Sequence, residues 1–409
     1  MSKPTSAPGR SSSVLLETFA SALVEERYAS STVHRYVREA KTFVLRLARR
    51  GLALCEAHDA HVERYVRSLG RWRCSARPDG QLPDSAFAVH KLLAILRARG
   101  LVAPASAPPA TEREKWLAAF GDHLTSVNGV TAGTRQVYLR EARALLEARF
   151  GSAAPQWSEL RADDLSAFVL ARVARLTPSS CRTPVTATRV LLRFLVASGE
   201  LRDGLEAAIP TVRQWKHGSL PRFLPEEAVA RVLDACDVST AMGRRDRAIL
   251  TLLLQLGLRA GEVAGLHLDD IAWCTARLSV GATKSRRARL LPLPHDTGLA
   301  LAVYLRQARP ESDDRAVFLC ARAPHRPLRS SSVSSIVTRL LKCSGVPATR
   351  FGAHVLRHTA ATRMIRGGAT FKEVADILGH ARLETTAIYA KLDVAALARV
   401  ALPWPGGAR

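Results

Sequence analysis

Apolar positions along this chain recur mostly at three- and four-residue spacing, the period of an amphipathic helix, interrupted by short Gly- and Pro-bearing breaks. Set against itself, the chain shows that this pattern is repeated. Residues 28–41 realign with 130–143 at a shift of 102, so that Thr32, Tyr36, Arg38, Glu39 and Ala40 meet Thr134, Tyr138, Arg140, Glu141 and Ala142. Val62, Tyr65 and Val66 correspond to Leu165, Phe168 and Val169 at a shift of 103, and 88–100 corresponds to 187–199 at a shift of 99. Three collinear blocks at nearly one offset predict two copies of a small all-helical domain, 13–102 and 112–205, after a disordered N-terminus of residues 1–12. The Pro- and Ala-rich stretch 103–111 reads as the linker between them. Thr32 and Thr134 fall where an N-cap would open the most charged helix of each copy.

A second linker, 206–224, leads to a C-terminal domain, 225–392. Pro225-Glu-Glu opens a helix with carboxylates at its positive end, and the run from Asp246 to Leu256 is a strongly apolar helix that Gly257 stops. Leu278–Val280 and Leu290–Leu293 read as short strands around a basic turn beginning at Lys284, and Thr370 with Glu373 has capping-box spacing. Residues 393–409 form a tail whose helix, Asp393 to Val400, offers Leu397, Val400 and Trp404 as apolar anchors for a neighbouring protomer or for its own domain. The expected fold class is mainly α, with a small antiparallel β-sheet confined to the last domain.

The 409 residues carry 60 Lys+Arg against 36 Asp+Glu, a formal charge of +24, with 47% hydrophobic residues to supply a core for each domain. An excess of that size points to a polyanionic partner, nucleic acid or an anionic membrane surface. No apolar run reaches the ~18–20 residues of a spanning helix, and the N-terminus lacks the pattern of a secretory signal. Seven scattered cysteines suggest neither a disulfide framework nor a metal knuckle. A cytosolic protein with reduced thiols is expected. Arg35, Arg38 and Lys41 in the first copy, with Arg135, Arg140 and Arg143 in the second, lie on the charged helices. One such helix alone is a solvated face; the same placement twice, in so basic a chain, favours phosphate contact.

Polar residues in the last domain stand where apolar patterning does not explain them. Arg259 directly follows the apolar helix, with Glu262 three residues on as a possible structural ion-pair partner. His354 and Arg357 share a helix face, His358 reads as a packing or hydrogen-bonding histidine, His380 follows the next helix, and Tyr389 comes nine residues later. A zinc site on His354 and His358 would want a glutamate where Val355 stands, so no metal is expected.

Arg259 in G-L-R-x-x-E, Lys284 in a hairpin turn, H-x-L-R-H at 354–358, L-G-H at 378–380 and Tyr389 come in an order that resembles the tyrosine recombinase (phage integrase) family. The resemblance is strong over about 220–395. It implies that 112–205 is a core-binding domain, that 13–102 is a second one, and that 225–392 is an integrase-type α+β catalytic domain. Tyr389 would be the nucleophile of a metal-independent, cofactor-free DNA cleavage that leaves a 3′-phosphotyrosine, with Arg259 and Arg357 gripping the non-bridging oxygens. Lys284 would protonate the leaving 5′ oxygen, His354 accept or relay the tyrosine's proton, His380 donate to a phosphate oxygen, and Glu262 orient Arg259. The family's glycines beside the lysine are here Thr283 and Ser285, and Arg286, Arg287 and Arg289 crowd the turn. Arg286 and Arg287 join Arg35, Arg38, Arg135 and Arg140 as candidate DNA-binding residues. The implied function is site-specific recombination or integration for a mobile element. The implied partners are double-stranded DNA, sister subunits in a synaptic homotetramer and other recombinases; the implied location is cytoplasmic, at the nucleoid. A type IB-like topoisomerase and a catalytically inactive DNA-binding or architectural protein are the competing functions.

Overall fold

The computed structural model describes residues 12–70, 84–104, 111–177, 180–211, 223–281, 288–346 and 352–380, with Thr386 and Tyr389. Lys284, Arg286, Arg287 and the tail from 393 lie outside the described residues. The chain divides into two compact units, Ala105–Gly218 and the remainder on either side of it.

The first stretch of the larger unit holds α1 (Ser12–Glu25), α2 (Ser30–Ala48), α3 (Asp59–Gly70) and α4 (Asp84–Ala98). They close on a core that includes Phe19, Phe43, Leu92 and Leu96. The unit at 105–218 repeats the plan with α5 (Glu112–Ser126), α6 (Ala132–Phe150), α7 (Ala162–Val173) and α8 (Arg182–Ala197), closing on Phe120, Leu145, Leu191 and Leu195. Both α2 and α6 have 19 residues, and both α3 and α7 have 12, so the sequence repeat is also a repeat of element lengths. Leu92, Leu93 and Leu96 are buried in one copy and Leu191, Leu192 and Leu195 in the other, because residues three and four apart share the inward stripe of a helix. The packed part of the second copy continues through a 3-10 turn, Leu205–Ala208, to the buried Ile209.

The charged helices begin two residues before the threonines expected to cap them. In α2 the cap is Ala29, which has no side chain to offer, and in α6 it is Thr131, whose hydroxyl accepts from the Thr134 amide. Thr32 and Thr134 therefore stand inside the first turn, where helical backbone is already established.

From residue 223 onward come α9 (Glu226–Asp234), α10 (Ala241–Gln255), α11 (Ala260–Ala264), a sheet, α12 (His295–Gln307), α13 (Ser330–Cys343), α14 (Ala353–Arg366) and α15 (Phe371–Leu378). The sheet is antiparallel in the order β1 (Ile271–Ala272), β2 (Arg277–Val280) and β3 (Arg289–Pro292), with Leu278 opposite Leu291 and Val280 opposite Arg289. Two residues are too few to show a period, which is why β1 has no signature in the sequence. Helix α10 is buried all round from Ala248 to Leu254, as a helix apolar on every face must be, and packs between α12 and α14. Pro225 occupies the N-cap of α9 rather than its first turn. Thr370 and Glu373 complete the capping box of α15. Among the described residues no helix is long and apolar enough to cross a membrane.

Candidate active site

Two helix ends set the geometry of the site. Gly257 follows α10 at φ +61°, a conformation in which a side chain is strained and here would also strike Leu378. Gly379 closes α15 at φ +63°. The last carbonyls of a helix have no partner in the helix and carry its partial negative charge, so they attract cations. Arg357, one turn inside α14, meets both ends: its Nη1 donates to the Gly257 carbonyl at 2.6 Å and its Nη2 to the Leu378 carbonyl at 2.6 Å. Burial, then the charge of Arg259, bring its pKa down to about 10, which leaves it a cation at neutral pH.

Arg259 is the N-cap residue of α11. Its backbone N–H donates to Glu262 Oε2 at 2.8 Å, its Nη1 to Glu262 Oε1 at 2.7 Å and its Nη2 to the Gly379 carbonyl at 3.2 Å. The ion pair weighed from sequence is thus formed. Glu262 also accepts both Nη groups of Arg289, from β3, at 3.1 and 2.8 Å, and lies 4.0 Å from Arg357. Burial raises the Glu262 carboxyl, but the hydrogen bonds from Arg289 and the Arg259 amide outweigh it and hold the pKa at about 2. Three guanidinium groups converge on one carboxylate, so the cluster keeps an excess of positive charge for an anion to neutralise.

Immediately after α15, His380 Nδ1 lies 2.7 Å from the Thr386 hydroxyl. Burial and the neighbouring Arg357 lower its pKa to about 4. On α14, His354 is exposed and His358, one turn on, is half-buried, with the two rings edge to face at 6.2 Å. Tyr389 is 1% exposed, its ring packed among Ala361, Val374 and Leu378. Its Oη lies 2.8 Å from His358 Nδ1, and burial raises its pKa to about 12. Arg259, His354, Arg357, His358, His380 and Tyr389 all line one cavity of about 610 Å³. Among the described residues no three His, Cys, Asp or Glu side chains gather as a metal site.

Five of the six residues expected at the centre therefore share a cavity, and the sixth, Lys284, lies outside the described residues. Two participants were visible in the sequence without the partners the structure gives them. Arg289 was one basic residue among several in a turn, and only its register on β3 separates it from them; the hydrogen-bonding reading of His358 did not include Tyr389 as its partner. The candidate DNA-contacting arginines differ among themselves. Arg38 and Arg140 are exposed, with Glu39 and Glu141 beside them. Arg35 lies over the ring of its neighbour Tyr36. Arg135 is directed inward, its Nε donating to the Gly121 carbonyl at 2.9 Å.

Residues 222–395 match the model of the phage integrase family. Over the whole chain and 98% of the relative, the sequence is 36% identical to "Putative integrase/recombinase y4rA" of Sinorhizobium fredii (strain NBRC 101917 / NGR234). It is also 31% identical to tyrosine recombinase XerD of Mycobacterium tuberculosis (strain ATCC 25618 / H37Rv) over 71% of this chain and 96% of that protein. Among solved structures, a lambda integrase (75-356) dimer bound to a COC′ core site is similar at a TM-score of 0.53 and 18% identity, covering 67% of this chain and 94% of the other. On the strength of the full-length similarity, the chain belongs to the phage integrase family and is a tyrosine recombinase.

Proposed function

We propose that this recombinase cuts and rejoins double-stranded DNA at specific sites through a 3′-phosphotyrosine, in the service of a mobile element. Tyr389 attacks the scissile phosphorus, Arg259 and Arg357 bind its non-bridging oxygens, His354 accepts or relays the tyrosine's proton, His380 donates to a phosphate oxygen, and Lys284 protonates the departing 5′ oxygen. The observation that carries this reading is the convergence of Arg259, Arg357, His380 and Tyr389, from separate stretches of chain, on one cavity with surplus positive charge. Both arginines are held by backbone carbonyls or by Glu262 before any ligand arrives, so little reorganisation is left for the reaction.

The helical repeats at 13–102 and 112–205 act as tandem DNA-contacting domains ahead of the catalytic domain at 225–392, which gives a lengthened footprint. Their matching helices and the net charge of +24 support this. Lambda integrase has been solved as a tetramer bound to a Holliday junction, at a TM-score of 0.52 to this chain; assembly of four subunits on paired sites, with other recombinases as alternative partners, is the corresponding proposal here.

Incubating the protein with nicked duplexes drawn from the DNA flanking its coding region tests the chemistry. A covalent protein–DNA adduct is expected, absent in Tyr389→Phe. An adduct that persists in the variant moves the nucleophile elsewhere, and none in the unaltered protein on any flanking duplex overturns the reading. Capture of two labelled sites in one complex distinguishes recombination from relaxation of a single duplex.

A further inference from the structure

We propose that Arg289 is a positioning residue for strand cleavage: as the counter-ion of Glu262 it leaves the charges of Arg259 and Arg357 to the scissile phosphate. This rests on the phosphotyrosine reading above and adds to it a residue that touches no reacting atom. Side chains of a strand alternate between its faces, so Arg289 shares with Leu291 the face of β3 turned to the core, opposite Val280 of β2. That register delivers a guanidinium only 9% exposed to a carboxylate with no exposure at all. Each oxygen of Glu262 is then shared, Oε1 between Nη1 of Arg259 and Nη1 of Arg289, Oε2 between the Arg259 backbone N–H and Nη2 of Arg289. The same guanidinium is packed so close to Gly379 that a Cβ there would come within 2.6 Å of Nη1, and the Gly379 carbonyl accepts from Nη2 of Arg259. Arg289 therefore backs both groups that hold the Arg259 side chain.

A buried carboxylate left to Arg259 to satisfy would draw that guanidinium's charge away from a ligand. With Arg289 in place, three guanidinium groups against one carboxylate leave two positive charges beside the cavity, and without it one remains. Burial raises the Glu262 carboxyl, and of the groups that lower it the hydrogen-bonded Arg289 comes first, ahead of the Arg259 amide. The second positive charge matters in the reaction rather than in binding. A phosphodiester carries one negative charge, and the pentacovalent phosphorus formed when the deprotonated tyrosine attacks spreads another over the same non-bridging oxygens. Packing alone does not account for the arginine. Among the described residues its Nε is buried with no hydrogen-bond partner, a cost in stability that an apolar side chain in the same space would avoid.

Arg289→Gln removes the charge and keeps a hydrogen-bond donor. The measurement is single-turnover adduct formation on a nicked duplex, with DNA binding followed in parallel, on natural DNA and on DNA whose scissile phosphate is a methylphosphonate. There a methyl group replaces one non-bridging oxygen, so one negative charge fewer has to be met. On natural DNA the variant is expected to lose about 100-fold in rate with affinity unchanged. On the methylphosphonate its deficit against the unaltered protein is expected to shrink to about tenfold or less in at least one stereoisomer, because charge is what the variant lacks. A deficit that shrinks by less than about threefold in both stereoisomers makes Arg289 a part of the scaffold only and overturns the proposal, as does a rate on natural DNA within about threefold of the unaltered protein or a rate loss matched by lost affinity. Should thermal melting show that Arg289→Gln does not fold, citrulline at position 289, nearly the same shape without the charge, takes its place with the same outcomes. Failure of the underlying reading looks different: no adduct in the unaltered protein, or an adduct surviving Tyr389→Phe, and the proposal falls with it.

Discussion

Glu262 makes no contact with a reacting atom in the proposed chemistry, yet it is the residue on which the arginines depend. Its folded-state pKa is depressed to about 2, so its contribution to stability is complete above the ordinary carboxylate range and is lost as pH falls through the folded value. A depression from 4.5 to about 2 corresponds to roughly 3 kcal/mol. Glu262→Gln is accordingly expected to unfold at lower denaturant concentration by about that energy at pH 7, and the gap between the two proteins should narrow as pH drops from 4.5 toward 2. Equilibrium denaturation at a series of pH values measures it. The same substitution frees Arg259 to leave the Gly379 carbonyl, so adduct formation should fall along with stability. Sequence spacing made Arg259 and Glu262 visible as a pair; Arg289 was not, because burial and the register of a four-residue strand are properties of the fold.

At the level of elements, the site depends on how α15 ends. Gly379 carries a positive φ, and a Cβ there would come 2.6 Å from Arg289 Nη1, whereas Gly345, at nearly the same φ, has open space around it. Backbone strain alone costs on the order of 1–2 kcal/mol when alanine adopts this conformation. Gly345→Ala is expected to pay that strain alone, and Gly379→Ala to lose more stability and, in addition, to push Arg289 off Glu262. Thermal melting of both variants, with adduct yield as the second readout, checks the difference. The helices themselves were largely legible from periodicity, Gly and capping residues, including the Thr370 box and the stop at Gly257. The start of the charged helices was not, because Ala29 caps α2 with no polar side chain to betray it. Equally hidden were the two-residue strand and the meeting of two helix ends at one guanidinium, which depends on packing between distant segments.

Across the whole molecule, the duplicated helical plan and the charge of +24 make binding to DNA a matter of phosphate neutralisation, and the arginines of the two copies should contribute unequally. Arg38→Ala and Arg140→Ala are expected to lower the slope of log affinity against log salt by about one each. Arg135→Ala, which removes an inward hydrogen bond to Gly121, should leave the slope alone and reduce the melting temperature. Titrations at several salt concentrations separate the two behaviours. The repeat was readable from a single chain because self-comparison supplies its own alignment; which copies of an arginine face outward was not, since charge sits equally well on a solvated face or against a carbonyl. Finally, the clasp that Arg357 makes between the ends of α10 and α15 gives one side chain two duties. Replacing it would remove a ligand of the phosphate in the proposed chemistry and also unfasten the architecture beneath. A lineage that gives up strand exchange but still needs an intact DNA-binding body can discard the tyrosine hydroxyl at small structural cost, whereas that arginine is retained for as long as the domain must stay folded.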